Sequence, residues 1–254
     1  MPSGSGRFHR IANETSKKTQ AVDAVLLDVG GVFHLPDPGR IAGALARAGH
    51  TVELDLLPQA HYAGAAAFRP DVDAELEWHE TWNSYNVAYA RALRVPDDLL
   101  DDAVEHLKSE FATVQLWTHV IPGSRDGLQA LVDTGVKVGI VSNADGTVAA
   151  RLREFEVLQV GPGPGVDVGC VIDSGAVGVT KPDPAIFAIA LDALGARPER
   201  TWYVGDMPAI DVVGARAAGL RPIVMDPFDV HDGLDCDRVG SLHQVAAMVI
   251  AARG

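Results

Sequence analysis

The chain has 254 residues, 47% hydrophobic and 22% charged, which is enough apolar matter for one large folded domain and too much for a disordered polymer. Lys and Arg number 21 against 34 Asp and Glu, a formal net charge of −13, and a field of that sign argues against nucleic-acid and membrane-surface partners. Two cysteines, Cys170 and Cys236, are too few for a disulfide framework or a four-cysteine zinc site, and the composition is that expected of a cytoplasmic enzyme.

Residues 1–20 are polar, carry Arg7, Arg10, Lys17 and Lys18 against Glu14, and lack an apolar targeting segment. They read as a flexible tail. A first β-like run follows over Val22–Asp28, apolar on both faces as a buried parallel strand is. The stretch 36–114 then offers no convincing strand and reads as several helices. Asp71 is a plausible N-cap for the longest, which would run through Arg94, and Pro96-Asp97-Asp98 opens another that reaches about Ala112. Trp78, Trp82, Tyr85 and Tyr89 fall on one helical face, the pattern expected of packing between helices.

Beyond this stretch, strands and helices alternate. Strand-like runs recur at Val136–Ser142, Gly169–Asp173, Thr201–Asp206 and Arg221–Asp226, with helical patterns at Ser124–Thr134, Thr147–Glu156, Pro184–Leu194 and Ile210–Ala218. Gly135, Gly195 and Gly219 stand where helix C-termini require them. The alternation predicts an α/β fold: a Rossmann-like, doubly wound parallel sheet with an inserted α-helical cap domain. The expected division is a core of residues 21–35 and 115–254, with the cap over 36–114.

Four polar motifs fall at the carboxyl ends of these strands, where ligands bind in such sheets. They are Asp28-Val-Gly30-Gly-Val, Val141-Ser142-Asn143, Lys181-Pro-Asp-Pro-Ala-Ile-Phe187, and Gly205-Asp206 with Asp211 five residues on. Each alone is an unremarkable cap or turn; together they converge on one crevice. The set resembles the haloacid dehalogenase-like (HAD) hydrolase superfamily over Val22 to about Ala251, and the helical insertion matches that family's cap.

The resemblance implies phosphoryl transfer to a small phosphorylated metabolite through an aspartyl phosphate. Asp28 would be the nucleophile and Lys181 the cation that offsets developing charge. Ser142, the backbone N–H of Asn143 and Lys181 would bind the phosphoryl oxygens. Mg²⁺ would be held by Asp28, the Gly30 carbonyl, Asp206 and Asp211, the last as a ligand or an orienting group. One position departs from the pattern. Most phosphatases of the family carry a second Asp two residues after the nucleophile as general acid/base, and here it is Gly30. Nearby His34 and Asp37 are candidate proton donors. Two alternatives follow from that glycine: a 2-haloacid dehalogenase, whose halide leaves without a proton, and a weakly active or inactive relative that binds a phosphorylated ligand.

Overall fold

The computed structural model describes residues 21–69 and 82–253. The sequence readings at residues 1–20, at Asp71 and at Trp78 lie outside them. At the centre of the main sheet stands β1 (Ala24–Leu27), and its four side chains are buried. Beside it on one edge come β4 (Lys137–Ser142) and β7 (Cys170–Asp173); on the other come β8 (Thr201–Gly205), β9 (Arg221–Met225) and β10 (Asp237–Val239). All pairings in this sheet are parallel, in the order β10-β9-β8-β1-β4-β7. A separate parallel pair is formed by β5 (Leu158–Gln159) and β6 (Val166–Asp167), and the short helices α6 (Val148–Glu154) and α7 (Ser174–Val177) follow β4 and β7.

Side-chain alternation along β1 divides the core into two layers. Val25 and Leu27 pack with Leu128 and Leu131 of α5 (Ser124–Asp133) and with Val245 and Val249 of α10 (Leu242–Arg253). Ala24 and Leu26 pack with Ile186, Phe187 and Leu191 of α8 (Pro184–Leu194) and with Ala215 of α9 (Asp211–Ala217). Helices therefore cover both faces, which makes this the doubly wound, Rossmann-like sheet that the sequence predicts. Asp183 caps α8 by accepting from Ala185 N at 2.9 Å, with Pro184 as its first residue.

From β1 the chain moves to β4 on one side, whereas β8 continues to β9 on the other. The direction of winding therefore reverses between β1 and β8. Register aligns Leu27 with Ile140 and with Val204, so the three strands end side by side at this reversal.

Before reaching β4 the chain leaves the sheet through β2 (His34–Pro36) and returns through β3 (Trp117–Val120), which pair antiparallel. The sequence reading has no strand at either place. Between them lie α1 (Pro38–Arg47), α2 (Leu57–Ala67), α3 (Asn83–Ala92) and α4 (Leu100–Phe111). They share a separate hydrophobic cluster built on Ile41, Leu45, Tyr85, Tyr89 and Leu107. Tyr85 and Tyr89 stack at 5.7 Å inside it, which is the packing expected of that aromatic face. No described helix is long and apolar enough to cross a membrane.

Candidate active site

Asp28 follows β1 directly, and its backbone N–H donates to the Val204 carbonyl at 2.8 Å, so the turn begins at the reversal point. The Asp28 carboxylate is held at both oxygens. Oδ1 accepts from Val29 N at 2.8 Å, and Oδ2 lies 2.8 Å from Lys181 Nζ. The same ammonium is 2.8 Å from Asp211 Oδ1 and donates to the Tyr203 hydroxyl at 2.7 Å. Lys181 is only 3% exposed and Asp206 and Asp211 only 2% each, so these charges interact with little screening.

Each residue arrives by a local device. Gly31 has φ +64°, and a Cβ there would collide with the Asp206 carboxylate, so only glycine lets the turn pass so close. Asp211 opens α9 and accepts from Met207 N at 2.9 Å, which ties together the loop after β8. Asn143 clasps the Lys181 backbone in both directions, donating Nδ2 to its carbonyl at 3.0 Å and accepting its N–H at 2.8 Å. The Asn143 side chain thus positions the lysine, while its backbone follows Ser142 at the end of β4.

Burial raises the Asp28 carboxyl above its ordinary range; the Lys181 ammonium opposes that rise, and Asp211 and Asp206 add to it. For Lys181, burial favours the neutral amine, but Asp211 and Asp28 outweigh it and hold the group charged well above the usual lysine range. Ligand oxygens of Asp28, Asp206 and Asp211 all lie within 4.8 Å of one another. Three carboxylates face one ammonium, and Asp206 Oδ2 is buried without a hydrogen bond. An all-oxygen donor set with surplus negative charge fits a hard divalent cation.

Several site residues lack a signal in the sequence. Tyr203 lies under the cluster and donates to Asp211 Oδ1 at 3.0 Å, but in sequence it looks like any aromatic of a buried strand. Two neighbours on α2 reach down from the helical layer. Tyr62 donates to the Gly31 carbonyl at 2.7 Å, and His61 Nε2 comes within 2.8 Å of Asp206 Oδ2, off the line a hydrogen bond requires. The other ring nitrogen of His61 lies 2.8 Å from the Tyr85 hydroxyl.

The candidate donors separate. Asp37 serves as the N-cap of α1, accepting from Arg40 N at 2.8 Å, and is not part of the cavity wall. His34 does line the cavity, but burial lowers it to about 4, with Arg151 and His119 contributing. It is therefore neutral near pH 7. Gly30 also faces the cavity, with the Trp117 indole against the place where its Cβ would stand.

The sequence matches the haloacid dehalogenase-like hydrolase family over residues 22–219. It is 44% identical over 90 residues to the phosphoserine phosphatase of Thermus thermophilus, covering 34% of this chain and 36% of that protein. It is 26% identical over 235 residues to the ribulose-1,5-bisphosphate 5-phosphatase of Halopiger xanaduensis, covering 87% of this chain and 92% of that one. A magnesium-bound HAD-hydrolase from Bacillus subtilis superposes with a TM-score of 0.57 at 18% identity, over 90% of this chain and 99% of its own, a likeness of fold. Fold, matched family and phosphatase relatives agree: this chain belongs to the haloacid dehalogenase-like hydrolases.

Proposed function

We propose that the protein is a Mg²⁺-dependent phosphomonoesterase that works through an aspartyl phosphate on Asp28, with the helical segment 36–114 as a cap over a core of residues 21–35 and 115–254. The observation that carries this reading is the position of Lys181 Nζ, 2.8 Å from both Asp28 and Asp211, beside the third carboxylate of Asp206.

In the first step an Asp28 oxygen bonds to phosphorus as the ester P–O bond breaks, and the alkoxide or phenoxide leaves with the electron pair and takes a proton from solvent. In the second, water attacks the same phosphorus and gives up a proton to solvent, and the P–O bond to Asp28 breaks to release the carboxylate and inorganic phosphate. Lys181 offsets charge on the phosphoryl oxygens, and Ser142 with the Asn143 backbone N–H orients them. Asp28, the Gly30 carbonyl, Asp206 and Asp211 would hold Mg²⁺, which when bound supplies electrostatic neutralisation of the phosphoryl group. Gly30 provides no acid, so the leaving alcohol departs without a proton from that position.

The test is phosphate release from a panel of monoesters with Mg²⁺, repeated in EDTA and with Asp28→Asn. Release that needs both the metal and Asp28 supports the reading. Halide release from a 2-haloacid that persists in EDTA would replace it with the dehalogenase, and ligand binding with no turnover would leave the inactive relative.

A further inference from the structure

The cavity above Asp28 has a volume of about 470 Å³, within the range that encloses a drug-sized ligand and generous for a small metabolite. Apart from the catalytic cluster its walls are mostly apolar: Trp82, Phe111, Trp117, Met207 and Ile210 supply them. Two cations reach the same space, and each already has a partner in the chain. Lys108 Nζ is 2.8 Å from Glu105, and Arg151 Nη2 donates to the Trp117 carbonyl at 2.7 Å. Four buried polar atoms of the wall lack a hydrogen bond: His34 Nε2, His61 Nε2 and Asp206 Oδ2 in or beside the carboxylate cluster, and Asn86 Oδ1 among the apolar walls. Asn86 is only 1% exposed and lines the cavity; its Nδ2 donates to the Trp82 carbonyl at 2.9 Å, and its Oδ1 is buried with no hydrogen-bond partner. A buried orphan acceptor is costly unless something supplies a donor.

Gly30 points the same way. The first-motif position where an acid would stand is walled instead by the Trp117 ring, 3.4 Å from the place of a Cβ. Building on the phosphomonoesterase reading, we propose that the substrate is a phosphomonoester of an apolar, ring-bearing alcohol or phenol with one hydrogen-bond donor on the ring, which Asn86 Oδ1 accepts. Trp117 and Phe111 take the ring, and Lys181 and the strand ends take the phosphate. This class differs from the small polar esters named for the phosphoserine and ribulose-bisphosphate relatives.

The experiment measures binding first, with phosphonates that cannot turn over, by calorimetry in Mg²⁺. 2-Phenylethylphosphonate should bind at least tenfold more tightly than ethylphosphonate, which shares its head group and lacks the ring. At least one of the three ring-hydroxylated isomers should bind more tightly still, and that gain should vanish in Asn86→Leu while the phenyl gain persists. Trp117→Leu is the second variant, expected to reduce the phenyl gain; circular dichroism checks that both fold. Equal binding of phenylethyl and ethyl phosphonates would overturn the ring assignment. A hydroxyl gain unaffected in Asn86→Leu, or absent for every isomer, would overturn the role of Asn86. Turnover of 2-phenylethyl phosphate and of phosphoserine is then compared. Phosphate release that favours phosphoserine would overturn the substrate class and leave the phosphatase reading standing. Tight ring-dependent binding with no release from any ester would remove the phosphatase reading and leave the apolar site.

Discussion

The place where Gly30 would carry a Cβ lies 3.4 Å from Cζ3 of Trp117, with two further indole carbons at 3.8 Å. These are ordinary van der Waals distances, so a Cβ at position 30 is tolerated and an Asp there would lie along the aromatic wall. In the wild type, aryl phosphates should phosphorylate Asp28 faster than alkyl phosphates by a margin of the order of 10²–10⁴, the usual contribution of general acid help. Gly30→Asp should narrow that margin, and Gly30→Asp with Trp117→Leu, which opens space beside the new carboxyl, should narrow it further. Single-turnover hydrolysis of one aryl and one alkyl ester by the three proteins checks this, and an unchanged margin in the well-folded double variant would count against a missing acid.

Buried carboxylates at 28, 206 and 211 repel one another more than Lys181 alone can offset. Mg²⁺ should therefore stabilise the fold. At a hundredfold excess over Kd the expected gain is about 2.7 kcal/mol, read as a rise in Tm. Asp206→Asn should abolish the rise. A Tm indifferent to Mg²⁺ in the wild type would mean that these oxygens do not form the metal site.

Asp28→Asn keeps the size of the side chain and removes the proposed nucleophile. Turnover should fall on the order of 10³-fold or more, with the fold intact by circular dichroism. Because the variant also relieves carboxylate repulsion, its thermal stability without metal should match or exceed that of the wild type. Loss of fold would show that the Lys181 ion pair with Asp28 is structural first.

The close pair of His61 and Asp206, 2.8 Å apart and backed by Tyr85, couples the helical layer to a carboxylate of the sheet. Packed against this oxygen without a hydrogen bond, the imidazole limits how the proposed metal-binding carboxylate can turn, and loss of an outer partner of a metal ligand typically costs 10–100-fold in affinity. His61→Leu should weaken Mg²⁺ binding by that factor in a calorimetric titration. Tighter binding instead would mean that the imidazole and the cation compete for the same oxygen.

How much of this was legible in the sequence follows from where each signal resides. The strands β1, β4, β7, β8 and β9 are written locally, as apolar runs ending in a polar residue, and Asp183-Pro184 announces α8 at its first residue. The pairing of β2 with β3 has no local signal. Each strand is short, Pro36 interrupts the first, and the partner of His34 is Val120. Tyr203, Tyr62 and His61 are invisible for a related reason: each earns its place through an atom far off in sequence, such as the Gly31 carbonyl that Tyr62 reaches. Of the aromatic face, Tyr85 and Tyr89 pack as expected, while Trp82 also walls the cavity, a distinction that periodicity does not make.

His34 makes the fold sensitive to acid. Burial lowers it to about 4 in the folded protein, against 6.5 for an ordinary histidine. Between these values the unfolded chain binds the proton and the folded one does not, so stability is full above pH 6.5 and is lost as pH falls toward 4. Over that window the loss should amount to roughly 3 kcal/mol. Denaturant titrations of the wild type and His34→Gln should show a shallower acid-side decline in the variant; parallel curves would place the acid sensitivity elsewhere.

Asp37 N donates to Leu116 O at 2.7 Å, extending the β2–β3 pairing to the point where the helices begin. For the sheet, everything between those residues is a single loop whose ends are already fastened together. Loop-closure entropy grows only logarithmically with length, about 0.6 kcal/mol per doubling. The sheet is thus nearly indifferent to how much chain is threaded through that clasp. Insertions or deletions in this bundle that keep His61 and Tyr62 of α2 in place should leave the carboxylate cluster assembled while changing what can approach it. New substrates can therefore be acquired there by remodelling the rest of the bundle, with the chemistry left in place.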